Sequence, residues 1–315
     1  GIRDWSVTGV QTCALPDLTS LEYWEGRVPT LPPAPELPLA INPKHLDKPR
    51  FRRYSQRISS EIWQELKERS QQLKLTPTVV LLAAYTEILT LWSKTPHFTI
   101  NVPRFNRVPL HPQVNEIIGE FASFTLLEVD NSKSDSFADR AHRLQRQLWQ
   151  DLEHQYVSGI RVLREIAKFR DVETRGVAFP IVFTTAPQDV KRDASAVEGT
   201  SLGSLGTIIE TLTQTPQIYL DNTYFEEADG TLVLNWDIVE ELFPVDMIES
   251  MFTAYVQLLT QLAQNELMWQ ETGLQGLVSA AQLEHRSEIN ETASPVQDLM
   301  LHDLFATNVE QHPDS

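Results

Sequence analysis

The chain has 315 residues, 41% of them hydrophobic and 22% charged, ordinary proportions for a polypeptide that buries a core. Its 26 Lys and Arg stand against 43 Asp and Glu, a net charge of −17, which argues against a nucleic-acid partner and against a basic membrane-surface footprint. No apolar run reaches the roughly 18 residues of a bilayer span, and a single cysteine excludes a disulfide framework within the chain. These values predict a cytoplasmic α/β protein of about two domains.

Gly1–Pro16 (GIRDWSVTGVQTCALP) has no cap, period or charge pattern, and lacks the basic start and unbroken apolar stretch of a signal peptide. It resembles the in-frame translation of a sequencing-library adapter, so it is set aside as an artefact, and the native chain is expected to continue upstream. Residues 17–50 follow as a Pro-rich connecting segment. Within it, Leu31–Pro43 (LPPAPELPLAINP) reads as an extended crossing stretch. Phe51–Ile58 reads as a strand, and Ser60–Leu75 as a helix with Ile62, Leu66 and Leu73 inward. Thr76 as N-cap with Pro77 behind it opens a helix to about Trp92. Its apolar residues fall on most sides, which predicts burial between layers.

Strands are predicted over His97–Val102 and Ala122–Val129, with an irregular stretch at Pro103–Pro112 between them. Ser134–Glu153 has a helical pattern capped by Ser134 or Asp135, with Phe137, Ala141, Leu144 and Leu148 on one face. A shorter helix covers Gly159–Phe169, and Val177–Thr185 reads as a strand. Asp189–Gly206, small and polar, reads as a mobile loop. Gln217–Phe225 and Leu232–Asp237 form a hairpin around Asp229-Gly230. A last long helix runs near Val245–Asn265, and the polar text from Glu288 reads as a linker. Strands alternating with helices predict a layered α/β sandwich.

Little in this text carries chemistry outright. The eight histidines are scattered without chelating spacing. No phosphate-binding glycine loop or G-x-S-x-G elbow occurs. Strand alternation places Val182 and Thr184 on one face of Phe179–Thr185. In the next strand it groups Gln217, Tyr219, Asp221 and Thr223, with Asp221 close to Trp236 or Asp237 across the hairpin. A second carboxylate or aromatic wall there would raise a carboxyl pKa and suit it to proton transfer. On pattern alone, a solvated strand carboxylate and a β-branched filler explain Asp221 and Thr184 more simply. Arg140, Arg143 and Arg146 lie about one turn apart, a solvated face or a dock for an acidic partner. Trp63, Trp92, Trp149 and Trp236 read as core.

Several phrases together resemble one family, the heterocyclization domains of nonribosomal peptide synthetases, relatives of the condensation domain. They are LPPAPELPLA (Leu31–Ala40), LTPTVVLLAAYTEILTLWS (Leu75–Ser93), FTINVPRFNRVPLHPQVNEIIGEF (Phe98–Phe121), QLWQDLEHQYVSGIRVLRE (Gln147–Glu165), FPIVFTT (Phe179–Thr185) and QTPQIYLDN…LVLNWD (Gln214–Asp237). They run in the family's order. The tail from Ile289 resembles a linker and the opening of an adenylation domain. The resemblance implies a chloramphenicol-acetyltransferase-like α/β two-layer sandwich, the second lobe of a two-lobed condensation-type domain over residues 51–287, with 288–315 as linker and adenylation start. It implies a missing N-terminal lobe and, as partners, upstream and downstream peptidyl carrier domains and a downstream adenylation domain. No cofactor would bind this chain directly, since the substrates ride on 4′-phosphopantetheine of the carriers.

By the same resemblance the complete domain joins a carrier-bound acyl or peptidyl thioester to a carrier-bound Cys, Ser or Thr. It then closes the side chain onto the new amide, with loss of water, to a thiazoline or oxazoline. The family's threonine and aspartate match Thr184 and Asp221, a pair assigned to cyclodehydration. Gln214 and Gln217 would line the substrate site. The chain departs from the family's pattern at Glu120, Ala122, Thr185, Thr223 and Arg104. Two other readings stand beside this one: an ordinary condensation domain that forms only the amide, and a non-catalytic docking platform for carrier proteins. This lobe alone would be inactive.

Overall fold

The computed structural model describes residues 18–105, 111, 113–119, 121–171, 179–184, 214–273, 275–278, 280–292 and 301–312. A helix, α1, runs over 18–27, followed by β1 (Phe51–Ile58), α2 (Ser60–Gln72), α3 (Pro77–Trp92), β2 (His97–Phe105) and β3 (Ala122–Asp130). Then come α4 (Phe137–Glu153), α5 (Gly159–Phe169), β4 (Ile181–Thr184), β5 (Leu220–Glu226), β6 (Leu232–Val239) and α6 (Met247–Gln264). The chain divides after Leu277, and the second unit holds α7 (Ala280–Asn290) and α8 (Leu301–Gln311). The polar stretch read as a linker from Glu288 thus starts as helix, because Glu288, Ile289 and Asn290 contain no breaker and extend the turn before them.

The six strands form one mixed sheet in the order β1-β6-β5-β4-β2-β3. β4 is parallel to both neighbours, and the other pairs are antiparallel. A strand buried between two others needs apolar residues on both faces, and Ile181, Val182 and Phe183 are all buried. β1 is an edge, and its exposed Arg52, Gln56 and Arg57 discourage pairing with another chain.

One face of the sheet carries the main core. Alternate residues Phe98, Ile100, Leu127, Val129, Ile181, Phe183, Leu220, Leu234, Trp236 and Ile238 pack there under α2, α3, α4 and α6. The predicted cap at Thr76 is present, its side chain accepting from the Val79 N–H, and every residue from Val79 to Leu89 is buried. Trp63 and Trp236 are fully buried. Trp149 is not core: it stands 50% exposed on the outer side of α4, since Ala141, Leu144 and Leu148 already define the inward stripe.

Among the described residues, the opposite face is covered at its β3 end. There α1, the segment after it and α5 enclose Trp24, Val28, Leu31, Leu126, Val162, Ile166 and Phe179. α1 was not anticipated in the sequence. The Pro-rich stretch behind it is extended as expected and lies along β2, where Thr99 donates its N–H to the Pro33 carbonyl at 2.8 Å and its hydroxyl to that of Pro32.

Three local expectations are corrected. The cap of α4 is Ser136, which accepts from the Asp139 N–H; Asp135 instead receives Arg143. Arg140 is buried, paired with Glu87 and bonded to the Asp135 carbonyl. It shares the inward face with Phe137 and Ala141, so of the three arginines only Arg146 is exposed. Finally, β5 begins at Leu220 rather than Gln217. Gln217 takes a positive φ of 69°, and the Ile218 N–H returns to the Thr215 carbonyl, closing a turn where alternation had been assumed.

No single helix among the described residues is long and apolar enough to cross a membrane; α2 and α3 pass that test only as a pair bent by 100°.

Candidate active site

The strand registers place side chains in rows across this opposite face of the sheet. One row reads Leu126, Asn101, Val182, Asp221, Asp237, Arg53, one residue from each strand in spatial order from β3 to β1. The next row reads Thr184, Thr223, Asn235, Ser55. A polar face opposite an apolar one is ordinary for a sheet, but here Asp221, Asp237 and Asn235 are buried as well as polar. The apolar and polar rows follow directly from alternation in FPIVFT, LDNTYFE and LVLNWDIV.

Thr184 and Asp221 meet diagonally across the parallel β4–β5 pair. The Thr184 hydroxyl donates to Asp221 Oδ1 at 2.7 Å. Asp221 is 5% exposed, and loss of water is the main reason its carboxyl rises to about 6; the Thr184 hydrogen bond and Arg53 oppose the rise, and the Asp237 carboxylate adds to it. Asp237 is opposite Asp221 in the β5–β6 ladder, one of the two neighbours the hairpin reading allowed. Arg53 of β1 holds it in a fork, Nε to Oδ1 at 2.6 Å and Nη2 to Oδ2 at 2.5 Å. A carboxyl with its pKa near 6 and one neutral donor on one oxygen is suited to give or take a proton close to neutral pH.

The remaining predicted positions lie elsewhere. Gln214 and Gln217 are exposed and line a cavity of about 660 Å³ with Pro43, Leu46, Phe51 and Tyr219. Gln217 also borders a cavity of about 330 Å³ with Asn101, Phe124, Leu163 and Phe179. Neither Asp221 nor Thr184 lines these cavities. The left-handed backbone at Gln217 turns it away from the alternation that predicted a shared face with Asp221. Thr185, Glu120 and Asp189–Gly206 lie outside the described residues, as does Gly1–Pro16.

Asn101 was missed. Its Oδ1 is buried without a hydrogen-bond partner among the described residues, on the same row as Asp221 and about 10 Å from it at ordinary strand spacing. The signal was available: Asn101 interrupts the apolar Phe98, Ile100, Val102 alternation on its other face. Arg104, a departure from the family's pattern, has a local explanation. Its guanidinium donates to Thr125 Oγ1, to Gln155 Oε1 and to the Gln155 carbonyl at 3.1, 2.9 and 2.8 Å, just past the end of α4, where the helix dipole favours a cation. Among the described residues no group of three or more His, Cys, Asp or Glu could hold a metal ion.

Comparison with known proteins agrees with this geometry in family and fold. A family model described as the condensation domain matches residues 17–273. Bacitracin synthase 1 of Bacillus licheniformis is 36% identical over 299 residues, covering 93% of this chain and 5% of that protein. Pyochelin synthetase PchF of Pseudomonas aeruginosa is 36% identical over 249 residues, 79% of this chain and 13% of the relative. The chain therefore spans a small part of the curated relatives it matches. Among solved structures, the cyclization-docking bidomain of the EpoB synthetase from Sorangium cellulosum superposes with a TM-score of 0.70 at 44% identity, over 79% of this chain and 49% of that one. The α/β lobe expected from the sequence is the fold of these neighbours.

Proposed function

The chain belongs to the condensation-domain family, and we propose that it is the second lobe of a heterocyclization domain within a nonribosomal peptide synthetase. The observation that carries this reading is the buried Thr184–Asp221 pair, with its carboxyl raised to about 6. The likeness to a bidomain named for cyclization, at 44% identity, supports it. In this reading an upstream lobe completes the site, peptidyl carrier domains present both substrates on phosphopantetheine, and the tail leads into an adenylation domain. The assembly works in the cytoplasm.

The chemistry follows in three steps. The amine of a carrier-bound Cys, Ser or Thr attacks the thioester carbonyl; a C–N bond forms, the C–S bond breaks and the pantetheine thiol leaves. The side-chain sulfur or oxygen then attacks the new amide carbon, and the former carbonyl oxygen becomes a hydroxyl. Loss of that hydroxyl as water, together with the N–H proton, leaves the C=N bond of the ring. Asp221 supplies the proton to the departing oxygen, and Thr184, by binding Oδ1, orients the carboxyl. General acid catalysis of this kind contributes about 10²–10⁴-fold.

The test is Asp221→Ala in the complete synthetase module, with products read by mass spectrometry. The linear amide is expected to persist while ring formation drops by about 10²–10⁴-fold. Loss of water at the wild-type rate would remove Asp221 from the reaction. A plain condensation domain is the second reading, favoured by Ala122, which brings no hydroxyl to the start of β3; it requires that the wild-type module release only the uncyclised amide.

A further inference from the structure

The mechanism just described uses Thr184 and Asp221 but leaves unused the two charged groups that complete the row of Asp221. Asp237 is 1% exposed, directly opposite Asp221. Arg53, directly opposite Asp237 on the next strand, is the cation that engages it through two nitrogens. A buried carboxylate this close to another carboxyl is costly unless it is paired. The groups that face Asp221 among the described residues are few. They are Asp237 of β6 and Arg53 of β1, the neutral Thr184 of β4, and Tyr85 of α3 on the other side of the sheet, whose hydroxyl donates to the Val182 carbonyl at 3.2 Å.

We propose that Asp237 and Arg53 are positioning residues for the cyclodehydration step: Asp237 presents a fixed negative charge that keeps the proton on Asp221, and Arg53 sets how much of that charge Asp221 feels. The proposal rests on the role given to Asp221 above. Neither residue touches the substrate in it. A carboxylate held in an ion pair beside a second carboxyl disfavours loss of that second group's proton, and the cation on the first offsets part of the effect. The register makes the assignment one-directional, because Arg53 adjoins Asp237 and is a strand further from Asp221.

The signature is a pair of opposite shifts in the pH profile of ring formation. Activity that needs protonated Asp221 falls as pH rises through the carboxyl's pKa. Asp237→Asn removes the repelling charge, so that falling limb is expected to move down by about one pH unit. Arg53→Gln removes the opposing cation, so the limb is expected to move up. Arg53→Lys, which keeps the charge without the fork, is expected to lie between Arg53→Gln and wild type. The measurement is the rate of ring formation against pH in the complete synthetase module, with linear amide formation followed in the same reactions to report an intact fold.

If Asp237→Asn fails to yield folded protein, the upward shift of Arg53→Gln and its partial rescue by lysine decide the matter. Slower ring formation with an unmoved limb in either variant overturns the proposal and leaves the role of Asp221 standing. A wild-type rate in Asp221→Ala removes the premise instead, so the two failures are distinguishable.

Discussion

Asp221 and Asp151 are the instructive pair in this chain. Both are buried, and loss of water raises each carboxyl to about 6. Their surroundings differ. Asp151 of α4 receives the Tyr23 hydroxyl at 2.7 Å, the Gln147 amide at 3.0 Å and the Arg27 guanidinium. Arg27 also reaches Glu128 of β3 at 2.6 Å, and Glu128 contacts His97 at 2.7 Å. These groups tie α1 to α4 and to the sheet. Among the described residues, Asp221 has one neutral donor and faces another acid. A shifted carboxyl therefore does not by itself mark an active site: three donors gathered on Asp151 Oδ1, with Oδ2 buried and unbonded among the described residues, hold a helix in place, while the single neutral donor on Asp221 leaves it able to exchange a proton.

The comparison breaks most readily at Arg27. Arg27→Met leaves the buried Asp151 and the half-buried Glu128 without this cation, and is expected to destabilise the chain by about 3–5 kcal/mol in denaturant unfolding. That loss should shrink as pH falls and Asp151 takes up a proton. If stability is unchanged, α1 is not held by this network, and the contrast with Asp221 fails.

Next is the pH dependence of stability at Asp221. Its folded pKa of about 6 lies above the ordinary value of 3.8, so the folded state binds more protons between those limits. Stability then falls as pH rises from about 4 to about 6, and the penalty is complete above that. A shift of about two units corresponds to about 3 kcal/mol. Asp221→Asn removes the ionisation, so it should be more stable than wild type at pH 8 by up to that amount, with the gap closing near pH 4. A pH-independent difference would mean that the carboxyl is solvated in the folded chain.

The smallest effect is expected at Thr184. Thr184→Val keeps the β-branched shape and removes one hydrogen bond to the carboxyl, which should slow ring formation about tenfold and leave amide formation intact. An unaltered ring rate would assign Thr184 to strand packing alone, the simpler account its sequence allowed.

Much of this was written in local pattern. Pro77 after Thr76 marks a helix start because proline presets φ and the threonine hydroxyl satisfies an exposed N–H. Asp229-Gly230 marks the hairpin because the turn needs a positive φ, which Gly230 adopts at 85°. From that turn and strand alternation, Asp221 close to Trp236 or Asp237 was legible, the register choosing Asp237, and Thr184 fell on one face with Val182. Their roles needed the family resemblance, since a strand carboxylate and a strand threonine have no chemical signature of their own.

What the sequence did not determine is which strands become neighbours, and that is a matter of long-range pairing. Only the parallel placement of β4 beside β5 and β2 brings Thr184 within 2.7 Å of Asp221 and aligns Asn101 on the same row. Only the addition of β1 at the far edge brings Arg53 to Asp237 across 184 positions of chain. Arg140 likewise reads as surface until α3 supplies Glu87. Local periodicity fixes the face on which a residue lies, because it depends on bonds only a few residues long. Burial, charge pairing and the shift of a carboxyl's pKa depend on partners the chain brings together from afar, and those the tertiary structure alone decided.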